Sequence, residues 1–97
     1  MQFTFQIYDF KFGDIEPIYI SDEGKLLFSD VLKNFLEVLN DIVTVSPIKI
    51  DDIVVKSEDD EIILDNEYQK SIEEIRMKYG DQFQVYPKKP VGEGFQF

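Results

Sequence analysis

The chain has 97 residues, 43% of them apolar and 14% aromatic, with a net charge of −10, which suffices for one domain with one modest core and excludes disorder of the whole chain. It contains neither cysteine nor histidine, which excludes disulfides, thiolate chemistry and cysteine metal sites and removes the commonest general base and transition-metal ligand. No run approaches the ~20 apolar residues of a membrane helix, and the opening MQFTFQIYDF lacks a basic stretch ahead of an apolar core, so no signal peptide is legible and a cytoplasmic setting is expected.

In chain order, residues 3–10 alternate. Phe3, Phe5 and Ile7 point one way and Thr4, Gln6, Tyr8 and Phe10 the other, the period-2 pattern of a strand. Lys11 to Asp14 reads as a turn, with Gly13 free to take positive φ. Residues 15–20 form a second strand and complete an antiparallel hairpin. Pro17 cannot donate to a ladder, so it marks an edge or a bulge. Residues 21–25 then lead into a helix.

That helix, over 29–43, is the element the rest is organised around. Phe28, Val31, Leu32, Phe35, Leu36, Val38, Leu39, Ile42 and Val43 recur at i, i+3, i+4 and i+7, while Asp30, Lys33, Asn34, Glu37 and Asp41 fill the opposite stripe. Ser29 is the expected N-cap and Asp30 places negative charge at the positive end of the helix dipole. The helix should stop before Pro47, because the residue ahead of a proline avoids helical geometry. So broad an apolar face needs a sheet to cover it.

Beyond Pro47, residues 48–56 are apolar and β-branched around Ile53-Val54-Val55, interrupted by Asp51-Asp52; this predicts a third strand. An acidic turn over 57–61 and a short return strand over 62–64 follow. A second helical region begins at Asp65, with Tyr68, Ile72, Ile75 and Tyr79 at helical spacing. Ser71 and Glu74 fit a capping box, Glu74 and Lys78 a favourable i, i+4 pair, and Gly80 the left-handed position after a helix. Residues 82–86 alternate as a last strand with Phe83 and Val85 inward, ended by Pro87. The expected domain is 1–87, followed by a flexible tail over 88–97.

The charge is concentrated. Between Asp51 and Glu74 ten acids stand against two lysines, Lys56 and Lys70, a net of −8. Such a surface repels nucleic acid; no direct nucleic-acid binding and no membrane association are expected, and the protein should be a monomer or weak dimer. The turn Ser57-Glu58-Asp59-Asp60-Glu61 lacks the alternate ligand spacing and central glycine of a calcium loop. Asp51 and Asp52, as neighbours in a strand, would point to opposite faces and not converge; a bulge or strand-end role is expected. Phosphate loops, nucleophile elbows and zinc motifs are missing. No catalytic residue, metal or cofactor is therefore assigned.

Three stretches carry a family resemblance. MQFTFQIYDF resembles the first strand of ubiquitin. SPIKIDDIVVKSEDDEIILDNEY resembles that family's proline-led loop, third strand, turn and short fourth strand. IEEIRMKYGDQFQVYP is similar to the helical turn, Gly-Asp step and last strand of ubiquitin-like proteins, including those from bacterial type VII secretion loci. The resemblance implies an α+β fold of the β-grasp class: a mixed sheet with the first and last strands parallel neighbours, one main helix across one face, and a second short helix. It also implies that the outer sheet face is free for a protein partner, so Tyr8, Phe10, Tyr86 and, beside them, Tyr19 are the candidate partner-binding residues. The function expected is that of a non-catalytic ubiquitin-like adaptor or small complex subunit. One alternative is an acidic inhibitor or nucleic-acid mimic occupying a basic groove. Another is an atypical modifier or sulfur carrier; ubiquitin-like modifiers end in Gly-Gly, however, whereas here Glu93 separates Gly92 from Gly94.

Overall fold

The computed structural model describes residues 1–8, 15–42 and 47–88. The expected turn at 11–14, Phe10, Val43, and the tail beyond Lys88 with Gly92 and Gly94 lie outside the described residues. Five strands and two helices form an α+β domain: β1 (Gln2–Ile7), β2 (Ile18–Ser21), α1 (Phe28–Ile42), β3 (Ile53–Ser57), β4 (Ile62–Ile63), α2 (Ile72–Tyr79) and β5 (Gln82–Pro87). Single 3₁₀ turns, Ile50–Asp52 and Asp65–Gln69, lead into β3 and towards α2. The sheet order is β2-β1-β5-β3-β4. β1 and β5 run parallel, with Phe5 opposite Phe83 and Ile7 opposite Val85; the β1–β2, β3–β5 and β3–β4 pairs are antiparallel.

The core lies between α1 and one face of the sheet. Phe3, Phe5, Ile18, Ile20, Ile53, Val55, Phe83 and Val85 from the strands meet Phe28, Val31, Leu32, Phe35 and Leu39 from the helix, all buried. Aromatic rings hold its centre: Phe5 lies 4.5 Å from Phe35 and 5.5 Å from Phe83, and Phe28 lies 5.2 Å from Phe83. Each such side chain contributes about 1.5–3 kcal/mol on leaving water. α2 and the preceding turn close one end with Tyr68, Ile72 and Ile75.

The helix begins one residue earlier than expected, and its capping differs from expectation. α1 begins at Phe28, so Ser29 lies inside it and is buried instead of serving as the N-cap. Leu27 stands at the cap position. Its amide donates to Asp30 Oδ2 at 3.2 Å, so the acid expected to favour the dipole also satisfies a backbone donor. The free amide of Phe28 donates to the Lys70 carbonyl at 3.0 Å, and Ile72 N–H donates to the Leu26 carbonyl at 3.1 Å. The two helix starts thus satisfy each other across an isolated bridge between Leu27 and Ser71.

Other local expectations refine in the same way. Pro17 sits just ahead of β2, where its missing N–H removes no ladder bond. Asp51 and Asp52 are exposed in the 3₁₀ turn at the entry to β3. Ser71 caps α2, accepting from Glu74 N–H at 3.2 Å. The Glu74 carboxylate accepts the Ser71 hydroxyl at 3.3 Å. Lys78 pairs with Glu67 at 2.9 Å, not with Glu74; the Glu67 carboxylate is only 12% exposed, so water screens the pair less than it would one on an open helix face. Gly80 takes φ +85° as expected of a helix-ending glycine, but its ψ of −158° turns the chain directly towards β5.

Candidate surface site on the outer sheet face

The face of the sheet opposite α1 is built by alternate residues of four strands. Strand register places Gln6 beside Gln84, Gln84 beside Lys56, Val54 beside Tyr86, and Thr4 between Tyr19 and Gln82. Most of these side chains are exposed or half-exposed. Thr4 is the exception: it shares this face but is buried, because the flanking strands carry the larger Tyr19 and Gln82.

Tyr8 follows β1 and donates its backbone N–H to the Val85 carbonyl at 2.9 Å, which anchors it beside β5. Its ring stacks on Tyr86, centroids 5.2 Å apart and planes inclined by 18°. On the β3 side of the pair, Lys56 Nζ lies 4.7 Å from the Tyr86 ring centre, a cation on an aromatic face. The Tyr86 hydroxyl donates to Gln84 Oε1 at 2.9 Å, and Gln84 Nε2 donates to the Ser57 carbonyl and to Asp60 Oδ1, each at 2.9 Å. A continuous set of contacts therefore ties the aromatic pair to the acidic turn.

That turn has its own frame. Ser57, buried at the end of β3, accepts from Asp59 N–H and Glu61 N–H, each at 3.2 Å. Asp60 takes φ +67°, a conformation that aspartate and asparagine tolerate better than most side chains. Between the turn and Tyr8 lies an open depression of about 510 Å3, lined by Gln6, Tyr8, Glu58, Asp60, Gln82 and Gln84, with Phe83 beneath.

Of the four candidate partner-binding residues, two meet. Tyr8 and Tyr86 form the stack. Tyr19 is 58% exposed on the same face but stands opposite Thr4, four residues and roughly 13 Å along the strand direction from Tyr8, so it belongs to a separate part of the surface. Phe10 lies outside the described residues. Sequence reasoning missed Gln6, Gln82, Gln84 and Lys56. The first three share the alternation phase of Tyr8 and Tyr86 within their strands, but only the parallel β1–β5 register makes them neighbours.

Among the described residues the most displaced carboxylate lies elsewhere. Glu67, in the turn before α2, meets Lys70 at 2.7 Å and Lys78 at 2.9 Å and accepts from the Tyr79 hydroxyl at 3.3 Å. Lys70 and then Lys78 pull its pKa down to about 2, and in return Glu67 raises that of Lys78. This is a clamp joining the turn to α2, with its carboxylate held charged. Among the described residues no group of three or more acidic side chains is placed to hold a metal ion, and no helix is long and apolar enough to cross a membrane. No protein-family model matches the chain, and no curated protein matches it.

Proposed function

We propose that the protein is a non-catalytic, ubiquitin-like interaction module that binds a protein partner through the outer face of its sheet. The β-grasp reading is supported by the parallel pairing of β1 with β5, the order β2-β1-β5-β3-β4 and the single long helix across one face. The observation that carries the functional reading is the Tyr8–Tyr86 stack on the outer sheet face, with Tyr8 42% exposed and Tyr86 half-buried. Exposed aromatic clusters on small domains mark contact surfaces. The reading is non-catalytic because the chain has no cysteine or histidine and the most perturbed carboxylate among the described residues is locked in ion pairs outside the depression.

The test is a Tyr8→Ala/Tyr86→Ala double variant used as bait in native lysate beside the wild-type chain, with partners identified by mass spectrometry. Partners captured by the wild type should be lost while the circular dichroism spectrum stays that of the wild type. Undiminished capture of the same partners by the double variant overturns the reading.

A second reading, an acidic protein occupying a basic groove, is favoured by the exposure of Glu58, Asp59, Asp60 and Glu61 together in one turn. It predicts a complex whose affinity falls steeply between low and high salt, as charge-driven association does. Affinity unchanged across that range excludes it.

A further inference from the structure

We infer that the free edge of β2 pairs with the same edge of a second copy of this chain, giving a two-fold dimer with one continuous sheet. β2 is an outermost strand. Its register sets Ile18 and Ile20 opposite Phe5 and Phe3, and Asp22 N–H donates to the Met1 carbonyl. In an antiparallel ladder the backbone groups of alternate residues face the same neighbour. Ile18, Ile20 and Asp22 therefore turn theirs to β1, and Tyr19 and Ser21 turn theirs outward. Those outward groups make no hydrogen bond among the described residues. Around a two-fold axis at Ile20, Tyr19 of one copy and Ser21 of the other exchange N–H and C=O bonds, so every outward group of both residues is met. An axis at Tyr19 would set Ser21 against Pro17, whose missing N–H leaves the Ser21 carbonyl unmet. The residue order thus favours one register.

The placement of charge selects a second copy as the occupant. Ile18, Tyr19, Ile20 and Ser21 include none of the lysines, acids or prolines that blunt a sheet edge. The opposite edge is blunted: β4 has two residues and follows the acids Glu58, Asp59, Asp60 and Glu61. Those four acids, with Asp51 and Asp52, sit in the turns at the two ends of β3. In the dimer the two β3 strands stand about seven strand spacings apart, roughly 34 Å. That is several times the screening length at physiological salt. Pairing through β4 would instead set the acidic turns side by side. On the helix side the edge is bordered by an open depression of about 450 Å3, lined by Ile15, Pro17, Val38 and Ile42, apolar surface that a second copy takes from water. On the outer side the exposed Tyr19 gains the other copy's Tyr19 as a diagonal neighbour. The pairing uses both β2 edges, so the assembly closes at two copies. Its axis runs perpendicular to the sheet, which places both outer faces on one side and both α1 helices on the other.

The experiment is sedimentation velocity of the whole chain from about 10 µM to 1 mM, the range suited to a contact smaller than a standard interface, with amide NMR at the same concentrations. A reversible monomer–dimer equilibrium is expected. Shifts that depend on concentration should centre on Tyr19 and Ser21, and exchange of their amide protons should slow as the dimer forms. Added salt should tighten the dimer, because each copy carries −10 and the repulsion is then screened. Tyr19→Glu, at an exposed position, should weaken it at least about tenfold by setting like charges diagonally across the new pair. Ile62→Lys, on the β4 edge, should leave it within about twofold of the wild type. A chain that stays monomeric up to about 1 mM overturns the inference. So does a dimer that Ile62→Lys abolishes and Tyr19→Glu leaves intact. Protected Tyr19 and Ser21 amides in a monomer also overturn it, since another segment of the chain would then cover the edge. The inference stands apart from the outer-face reading: Tyr8→Ala/Tyr86→Ala should lose its captured partners and still dimerise.

Discussion

Glu67 shows how much one side chain depends on neighbours distant in sequence. Its carboxylate, 12% exposed, serves Lys70 three residues away and Lys78 and Tyr79 on α2. Its folded pKa of about 2 lies well below the 4.5 of an ordinary glutamate. The stability it contributes is therefore complete above about pH 4.5 and is lost as pH falls from there towards 2, where the folded form also protonates. Asp22, held low first by Arg76 and also by the Met1 ammonium, acts with the same sign. In Glu67→Gln the loss of stability over this acid window should be shallower than in the wild type, measured by urea unfolding at successive pH values. An identical pH profile in both would mean that the lysine pairs do not persist in solution. Arg76 adds a second role, lying 4.6 Å from the Phe3 ring while its Nη2 binds Asp22 at 2.8 Å. It covers the edge of the core with its flat face and keeps its charge paired.

At the scale of elements, the ends of α1 are set by contacts that no local pattern announces. Its start is satisfied by Asp30 and by the Lys70 carbonyl. Towards its end, the Asn40 amide clamps the next segment: Asn40 Nδ2 donates to the Ile48 carbonyl at 2.9 Å and Asn40 Oδ1 accepts from Ile48 N–H at 2.8 Å. The side chain thus imitates one rung of a sheet and ties Ile48 to the helix. Asn40→Asp keeps the acceptor but sets a carboxylate oxygen against the Ile48 carbonyl, and should cost about 1–3 kcal/mol in denaturant unfolding at neutral pH. A loss that persists undiminished at a pH low enough to protonate the new carboxyl would point to another cause, since a protonated acid can again donate to that carbonyl. Asn34 and Glu37, on the solvent stripe of the same helix, stay half-exposed or exposed as their periodicity predicts.

At the scale of the whole molecule, β5 is the strand that joins everything. It pairs in parallel with β1 and antiparallel with β3, while its inward Phe83 touches the rings of Phe3, Phe5 and Phe28. Its outward residues Gln84 and Tyr86 belong to the candidate surface site. Phe83→Ala removes the shared partner of three rings and should cost about 3–5 kcal/mol, read from the midpoint of chemical unfolding with the slope unchanged. A cost below about 1 kcal/mol would mean that the core closes over the gap. Because β1 and β5 are the first and last strands among the described residues, this contact is among the most distant in sequence, and the candidate site forms only once the two strands have paired.

Much of this architecture was legible because it follows from alternation and helical periodicity, which are local. The inward set Phe3, Phe5, Phe83 and Val85, the apolar stripe of α1 from Phe28 to Leu39 (though not Ile42, expected on that stripe yet 50% exposed), the serine cap of α2 and the glycine after it all report the chain's own geometry. So did the expectation that Tyr8 and Tyr86 share an outward face. What the residue order alone could not supply was distance between segments. The partnership of Glu67 with Lys78 instead of Glu74 with Lys78, the separation of Tyr19 from Tyr8, and the convergence of Gln6, Gln84 and Asp60 depend on strand register and on the packing of α2. Register is a property of two segments at once, set by which pairing buries both apolar faces, and it is decided only when the whole chain has closed around its core.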